Sequence, residues 1–271
     1  MTEDMINRVI CGDCLEVMRG MAEGCVDLVV TSPPYDNLRI YGGINWDFDI
    51  FKPIAEQLFR ITKKGGVVVW VVGDATINGS ESGTSFSQAL YFKEIGFNLH
   101  DTMIYWKNQF AFPESNRYAP VFEYMFVLSV GTPITANIIK TATNRENRIK
   151  RKNSSIRQRN GITQSLKYET GKNTRNCENI WIYEVGYMKS AKETCAFEHP
   201  AIFPIALAKD HILSWSNPGD LILDPFAGSG TTLVAAKDLG RRFIGIELNQ
   251  GYVDICNKRL DAVQPRLEGV W

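Results

Sequence analysis

The sequence contains no apolar run that approaches the roughly 20 residues needed to cross a membrane. Its first residues, Met1-Thr2-Glu3-Asp4, are acidic and carry no apolar core, so we expect no secretion signal. Six cysteines occur without the spacing of a disulfide framework, and Cys11 and Cys14 have no second Cys or His pair to complete a zinc site. These features predict a globular cytoplasmic protein with reduced thiols and no metal.

An excess of charge of either sign is also missing, because 30 Lys and Arg balance 30 Asp and Glu over 271 residues. The balance conceals a basic segment, residues 140–175, which holds eleven Lys or Arg and only two acids, Glu146 and Glu169. This segment is therefore net +9 and the remainder of the chain is −9. Such asymmetry predicts a segment that faces nucleic acid. A solvated loop is the alternative, and the two are compatible because basic arms often order only when bound.

Strand and helix patterns alternate along most of the chain. Continuous apolar runs such as Val67–Val72 indicate strands that are buried on both faces, and apolar residues at the spacing of Phe51, Ile54 and Leu58 indicate helices. Predicted strands cover 8–11, 26–30, 67–72, 97–106, 121–130, 221–224 and 242–246, and predicted helices cover 14–21, 47–62, 86–95, 200–214, 231–239 and 252–263. The pattern predicts an α/β fold with a doubly wound, mostly parallel sheet.

Two of these predicted strands, 97–106 and 121–130, are expected to pair in antiparallel fashion. Periodicity is lost over residues 131–190, which include the basic segment. We therefore predict one domain formed by residues 1–130 and 191–271, with a basic insert at 131–190.

The first candidate site follows the strand at Val26–Val30, where the chain continues as Thr31-Ser32-Pro33-Pro34-Tyr35. The two prolines force a stiff, extended loop at the carboxyl edge of the sheet, where open α/β sheets bind ligands. The loop offers the Ser32 hydroxyl, carbonyl acceptors and the flat ring of Tyr35 to a planar group that carries an NH2. A strand-ending turn with a packed tyrosine is the alternative.

The second candidate site is the stretch Asp224–Thr232, in which a strand runs into a Gly-Ser-Gly turn and then a helix. It lacks the lysine of a phosphate-binding P-loop, and Leu233 stands where a dinucleotide fingerprint needs its third glycine. Glu247 ends the next strand, 19 positions after Gly228, and suits the hydroxyls of a ribose. The combination favours S-adenosylmethionine, with Asp224 and the turn at its amino-acid end. A plain glycine-rich turn is the alternative.

Together, Thr31–Tyr35 and Asp224–Thr232 resemble the amino-methyltransferases of bacterial DNA, which methylate cytosine N4 or adenine N6. The order of the two loops resembles the permuted beta subgroup. The stretches Gly12-Asp13-Cys14-Leu15 and Glu198-His199-Pro200-Ala201-Ile202-Phe203-Pro204 extend the resemblance over nearly all the chain. The resemblance implies a Rossmann-like fold in circularly permuted order, S-adenosylmethionine as cofactor and double-stranded DNA as substrate. It also implies that the insert recognises the target sequence.

The resemblance also implies roles for particular residues. Ser32 and the Pro33 carbonyl would grip the amine, with Pro34 in the same catalytic loop, and Tyr35 would stack on a base flipped out of the duplex. The implied cofactor site consists of Asp13, Cys14, Thr31, His199, Pro200, Asp224, Pro225, Phe226, Ala227, Gly228, Ser229, Gly230, Thr231, Thr232, Glu247 and Leu248. The residues expected to contact DNA are Arg39, Tyr41, Arg148, Lys150, Arg151, Lys152, Arg157 and Arg159.

Several alternatives stay open. Adenine enzymes of this kind most often carry Asp at the position of Ser32, so the loop favours cytosine N4 over adenine N6. An RNA or protein-glutamine methyltransferase and a non-catalytic DNA-binding module are further alternatives. Carbon-5 cytosine methylation is excluded, because in that family the nucleophilic cysteine follows a proline and none does here. A homodimer and a separate cognate restriction endonuclease stay open as partners. The expected location is the cytoplasm of a bacterial cell or of a phage-infected bacterium.

Overall fold

The computed structural model describes residues 2–34, 46–109, 116–142, 154–158, 160–166, 174–199 and 202–263. Its contacts divide the chain into two compact units. The main unit comprises Met1–Asn137 and Asn179–Trp271, and the smaller unit comprises Ile138–Glu178.

The regular elements of the described residues follow the predicted alternation closely. The helices are α1 Cys14–Arg19, α2 Phe48–Ile61, α3 Thr84–Glu94, α4 Ile205–Trp215, α5 Thr231–Asp238 and α6 Gln250–Ala262, with short 3₁₀ helices at Glu3–Met5 and Thr194–Glu198. The strands are β1 Arg8–Cys11, β2 Val26–Thr31, β3 Thr62–Val72, β4 Thr76–Ile77, β5 Ser80–Glu81, β6 Asn98–Lys107, β7 Phe122–Ser129, β8 Lys140–Ala142, β9 Ser154–Arg157, β10 Thr163–Leu166, β11 Thr174–Asn176, β12 Ile180–Tyr183, β13 Leu221–Asp224 and β14 Arg242–Glu247.

Eight strands of the main unit form one sheet in the order β1-β14-β13-β2-β3-β7-β6-β12. All of its neighbouring pairs are parallel except those that β7 makes with β3 and β6. The predicted mostly parallel sheet and the antiparallel pair are therefore confirmed. Since seven strands point the same way, their carboxyl ends share one edge of the sheet, and β7 begins at that edge.

Helices cover both faces of this sheet, as a doubly wound fold requires. Strand β3 is buried on both faces, because Val67, Val69 and Val71 belong to one apolar core and Val68 and Trp70 belong to the other. Helices α4, α5 and α6 contribute to the first core, while α1, α2 and α3 contribute to the second. The unbroken Val-rich run of β3 thus reflects burial on both sides.

The separate unit is shorter than the predicted insert. Ile134 still belongs to the main unit, where its amide donates to the Gly65 carbonyl at 3.0 Å. At the other end, Ile180–Tyr183 forms β12, which pairs in parallel with β6. This strand was not among the predicted ones, because four residues at a sheet edge carry too little apolar periodicity to be seen. Within the smaller unit, β8 pairs with β11 and β9 pairs with β10, both antiparallel.

All six cysteines are free thiols. Across the described ranges, no helix has the length and apolar character needed to cross a membrane.

Candidate active site

A cavity of about 1030 Å³ opens at the sheet edge where the carboxyl ends of the parallel strands meet. It runs from the turn after β1, past the glycine turn after β13 and the loop after β2, to the start of β7. The volume lies at the upper end of the range for sites that hold one drug-sized ligand. The predicted site residues in its lining are Asp13, Cys14, Ser32, Pro33, Pro34, His199, Pro225, Phe226, Ala227, Gly228, Ser229, Thr231, Glu247 and Leu248.

Four other predicted residues are buried and do not line the cavity: Thr31, Asp224, Gly230 and Thr232. They lie at the ends of β2 and β13 and at the start of α5. Tyr35, Arg39, Tyr41, Arg148, Lys150, Arg151, Lys152, Arg159 and Pro200 lie outside the described residues, and Arg157 belongs to β9 with its side chain outside them.

Asp224 supports the site from behind. Its side chain is 1% exposed, and Oδ1 accepts hydrogen bonds from the Thr31 hydroxyl at 2.7 Å and the Phe226 amide at 3.1 Å. The Thr232 hydroxyl donates to the Val30 carbonyl at 3.0 Å, which ties α5 to β2. Asp224 itself does not line the cavity, and the expectation that its carboxylate faces the amino-acid end of a ligand stays a prediction.

Burial raises the pKa of Asp224 from 3.8 to about 6, and the hydrogen bond from Thr31 is the largest influence in the opposite direction. Asp224 is therefore a buried carboxyl group, at the end of β13, that is a weaker acid than an exposed aspartate. It joins β2, which precedes Ser32-Pro33-Pro34, to β13, which precedes the glycine turn.

Glu247 organises the glycine turn from the neighbouring strand. Its Oε2 accepts from the Gly228 amide at 2.9 Å and its Oε1 accepts from the Asn249 amide at 2.8 Å. Both carboxylate oxygens retain further acceptor capacity, so this side chain can also receive hydroxyl donors. Glu247 thus contacts the glycine turn directly, and its expected role at a ribose stays a prediction.

Gly228 lies in the left-handed region with φ +51°, and a Cβ there would be 3.0 Å from His199 Nε2. The His199 ring also contacts the Tyr252 ring, with centroids 4.4 Å apart. Both rings line the cavity. Only a glycine lets the backbone pass this close to the imidazole.

The turn after β1 forms another part of the wall. Asp13 caps α1, because its carboxylate accepts from the Glu16 amide at 3.1 Å. Burial, followed by the charge of Asp13, raises the pKa of the Cys14 thiol to about 12. Cys14 is therefore a neutral thiol at physiological pH and contributes packing to the cavity wall.

Strands β6 and β7 form the far part of the cavity, where no residue was predicted to belong to the site. Lys107 and Glu123 make an ion pair there, and Lys107 Nζ lies 5.8 Å from the centre of the Tyr105 ring. Tyr105 and Glu123 are direct partners across the two strands, and all three side chains line the cavity. Charged residues in a strand are usually solvent-facing, so no sequence signal singled them out.

Two further buried side chains lie at the site, one aromatic and one basic. Trp46 lines the cavity and meets the Phe226 ring edge-on, with centroids 5.3 Å apart. Arg259 of α6 is 1% exposed and donates to the Ser229 carbonyl of the glycine turn at 2.6 Å. A single arginine within a helical pattern gave no signal for this contact.

Comparison with known proteins assigns the family. A model of the DNA methylase family matches residues 26–258. The orphan methyltransferase M.BamHII of Bacillus amyloliquefaciens is 50% identical over 253 residues, which cover 90% of this chain and 93% of that relative. The type II methyltransferase M.HpaI of Haemophilus parainfluenzae is 25% identical over 265 residues, covering 95% of this chain and 75% of that relative.

Solved structures share the fold. TTHA0409 of Thermus thermophilus, solved complexed with S-adenosyl-L-methionine, has a TM-score of 0.62 at 25% identity and covers 93% of this chain and 92% of its own. The cytosine-N4-specific PvuII DNA methyltransferase has a TM-score of 0.69 at 20% identity, covers 96% of this chain and 87% of its own, and shows likeness in fold alone. With its two loops meeting in one cavity, the chain belongs to the DNA methylase family of N6-adenine and N4-cytosine methyltransferases.

Proposed function

We propose that this enzyme transfers the methyl group of S-adenosylmethionine to N4 of a cytosine flipped out of double-stranded DNA. Membership of the DNA methylase family confirms the predicted methyltransferase activity and the predicted cofactor. The observation that carries the proposal is a single cavity of about 1030 Å³ lined by both Ser32-Pro33-Pro34 and the glycine turn. Its volume, at the upper end of the range for one drug-sized ligand, leaves room for cofactor and base together.

The residues around the glycine turn fit the proposed cofactor. Gly228 has no side chain at the point where a Cβ would contact His199, so the cavity stays open there. Glu247 offers carboxylate lone pairs to ribose hydroxyls. Asp13 and Cys14 form the wall after β1, next to the expected adenine. When bound, S-adenosylmethionine would supply an electrophilic methyl group, and its sulfonium sulfur would keep the electron pair of the C–S bond.

The loop after β2 is proposed to act on the base. An exocyclic amine is a poor nucleophile because its lone pair is conjugated with the ring. Acceptors at the Ser32 hydroxyl and the Pro33 carbonyl would hold its two hydrogens and draw the nitrogen toward sp3 geometry, which frees the lone pair. Forming the N–C bond would leave a positive charge on the nitrogen, which is removed when the amine releases one proton to solvent water. Holding both reactants in contact supplies up to roughly 7–11 kcal/mol of such catalysis.

Ser32 supports cytosine N4 as the acceptor, because adenine enzymes resembling this one most often carry Asp there. The PvuII enzyme is named cytosine-N4-specific, but its likeness to this chain is limited to the fold. The ion pair of Lys107 and Glu123, with Tyr105 beside it, is proposed to line the part of the cavity that receives the base.

The basic segment is proposed to contact DNA and to recognise the target sequence. The name of the 50% identical relative, an orphan methyltransferase, gives no support to a cognate endonuclease. Free cysteines and a DNA substrate both favour action in the cytoplasm of a bacterium.

The test is mass spectrometry of nucleosides from DNA incubated with the enzyme and S-adenosylmethionine. The expected product is N4-methyldeoxycytidine. N6-methyldeoxyadenosine as the only product would overturn the choice of cytosine. Methylation of RNA or protein without methylation of DNA would overturn DNA as the substrate.

A matched pair of variants tests the role of the loop. Ser32→Ala should lower the turnover number by roughly 10²–10³-fold and leave cofactor affinity unchanged, since it removes one acceptor from the amine. Ser80→Ala, in the exposed hairpin of β4 and β5, should match the wild type in both measurements. Equal turnover in the two variants would contradict a catalytic Ser32.

A further inference from the structure

Arg259 is a buried arginine whose partners are concentrated on the glycine turn. Its side chain is 1% exposed, and Nη1 donates to the Ser229 carbonyl at 2.6 Å. The same nitrogen lies 3.2 Å from Ser229 Oγ and 3.3 Å from Thr231 Oγ1, and Nη2 lies 3.5 Å from Glu193 Oε2. A buried guanidinium without such partners would be strongly unfavourable, so these contacts decide how the side chain is oriented.

The contact with Ser229 fixes one peptide plane of the turn. The carbonyl of Ser229 accepts from Arg259, and the amide of the same peptide group, that of Gly230, donates to the Ala227 carbonyl at 2.7 Å. Both polar ends of this peptide group are therefore held by protein. Without Arg259 the plane would keep only one of its two restraints, and the carbonyl oxygen could turn toward the cavity.

Helix α6 also lies directly beneath the turn. A Cβ built on Gly230, whose φ is +80°, would be 2.1 Å from Cys256 Sγ, on the turn of α6 that precedes Arg259. Ser229 and Thr231, the residues on either side of Gly230, line the cavity. The position of α6 is thus transmitted to the cavity wall through Cys256 by packing and through Arg259 by hydrogen bonds.

We propose that Arg259 is a positioning residue, which holds the Ser229–Thr231 turn in the shape that binds the amino-acid end of S-adenosylmethionine. This inference rests on the proposed function of the cavity. Arg259 does not line the cavity, so it acts through the turn. Its positive charge behind the turn also favours the carboxylate of the cofactor. The Glu193 carboxylate orients the other arm of the guanidinium.

The test compares two ligands that differ in the amino-acid end alone. S-adenosylhomocysteine carries this end, whereas 5′-methylthioadenosine lacks it and keeps the adenosine. Dissociation constants are measured by calorimetry for the full-length wild type, Arg259→Gln and Arg259→Lys. Arg241→Gln is the matched control, because Arg241 is also buried and bonded to backbone carbonyls, those of Leu239 and Ser216, but does not line or support the cavity.

Arg259→Gln should weaken S-adenosylhomocysteine by about tenfold or more, the usual effect of losing hydrogen bonds to a charged group. It should change the affinity for 5′-methylthioadenosine by less than about twofold. Arg259→Lys keeps the charge but cannot span two partners, so its effect should be selective and smaller. Arg241→Gln should show no selectivity. In turnover assays, the KM for the cofactor should rise in both Arg259 variants, while the KM for DNA stays unchanged.

Equal weakening of both ligands, or no weakening in either Arg259 variant, would overturn the inference. If Arg259→Gln fails to fold, Arg259→Lys decides the matter by the same comparison. Glu193→Gln gives independent support if it produces a smaller effect of the same selectivity. A wild-type protein that binds neither ligand would instead refute the proposed function.

Discussion

Replacing Asp224 by Asn keeps the shape of a buried side chain and removes its ability to ionise. Asp224 is 1% exposed and joins β13 to β2 through the Thr31 hydroxyl. Its pKa is raised from 3.8 to about 6, mainly by burial, and hydrogen bonds from Thr31 and the Phe226 amide oppose the rise. The native fold therefore disfavours the charged form of a group that the unfolded chain ionises readily.

The sign of the pH dependence follows from these two pKa values. Because the pKa is higher in the folded state, the contribution of Asp224 to stability is fully present below pH 3.8 and is lost as the pH rises through about 6. The difference between the pKa values of the unfolded and folded states corresponds to about 3 kcal/mol in the free energy of unfolding. About half of it, roughly 1.5 kcal/mol, falls between pH 5 and pH 8. Asparagine does not titrate, so its contribution is constant.

The assay is urea unfolding of the wild type and Asp224→Asn at pH 5 and pH 8 and the same ionic strength. Other titrating groups are shared by the two proteins and cancel in the comparison. The stability of Asp224→Asn relative to the wild type should increase by roughly 1.5 kcal/mol from pH 5 to pH 8, whatever its offset at pH 5. Parallel pH profiles for the two proteins would refute a raised pKa at Asp224.

Three further predictions concern the turn and the basic segment. Asp224→Ala should weaken cofactor binding by about 1.5–3 kcal/mol because the Thr31 and Phe226 donors lose their acceptor, and unchanged affinity in calorimetry would contradict this. Gly230→Ala should lower both Tm and cofactor affinity, since its Cβ would be 2.1 Å from Cys256 Sγ, whereas Gly240→Ala, with φ +71° and open space, should cost only about 1–2 kcal/mol of backbone strain. Equal effects in the two glycine variants would show that the contact with Cys256 does not determine the loss of stability and affinity. Replacing four basic residues of the segment by Ala should reduce the slope of log affinity for DNA against log salt by about 0.9 for each phosphate that is no longer neutralised, and an unchanged slope would indicate a solvated loop. The residues available for that change are Arg148, Lys150, Arg151, Lys152, Arg157 and Arg159.

Local and periodic features of this protein were readable from its sequence. Parallel strands buried on both faces require continuous apolar runs, and Val67–Val72 and Leu221–Leu223 are such runs within β3 and β13. A Cβ at position 228 would lie only 3.0 Å from the His199 imidazole, so the turn requires glycine there, and the Gly-Ser-Gly stretch was visible in the sequence. The order of the two loops then indicated the family.

Contacts between distant parts of the chain were decided by the tertiary structure alone. Strand β12 has four residues and is recognisable only by its pairing with β6. The motif singled out Asp224, but only the tertiary structure brings its carboxylate to the Thr31 hydroxyl, which lies 193 positions away in the sequence.

The same reason accounts for the cavity residues that the sequence did not reveal. Lys107 and Glu123 form an ion pair only because β6 and β7 are antiparallel neighbours. Arg259 reaches the Ser229 carbonyl only because α6 packs against the turn. The sequence determined the strands, the helices and the two loops through local backbone chemistry and burial, whereas the packing of distant elements decided which side chains form the wall and which support it.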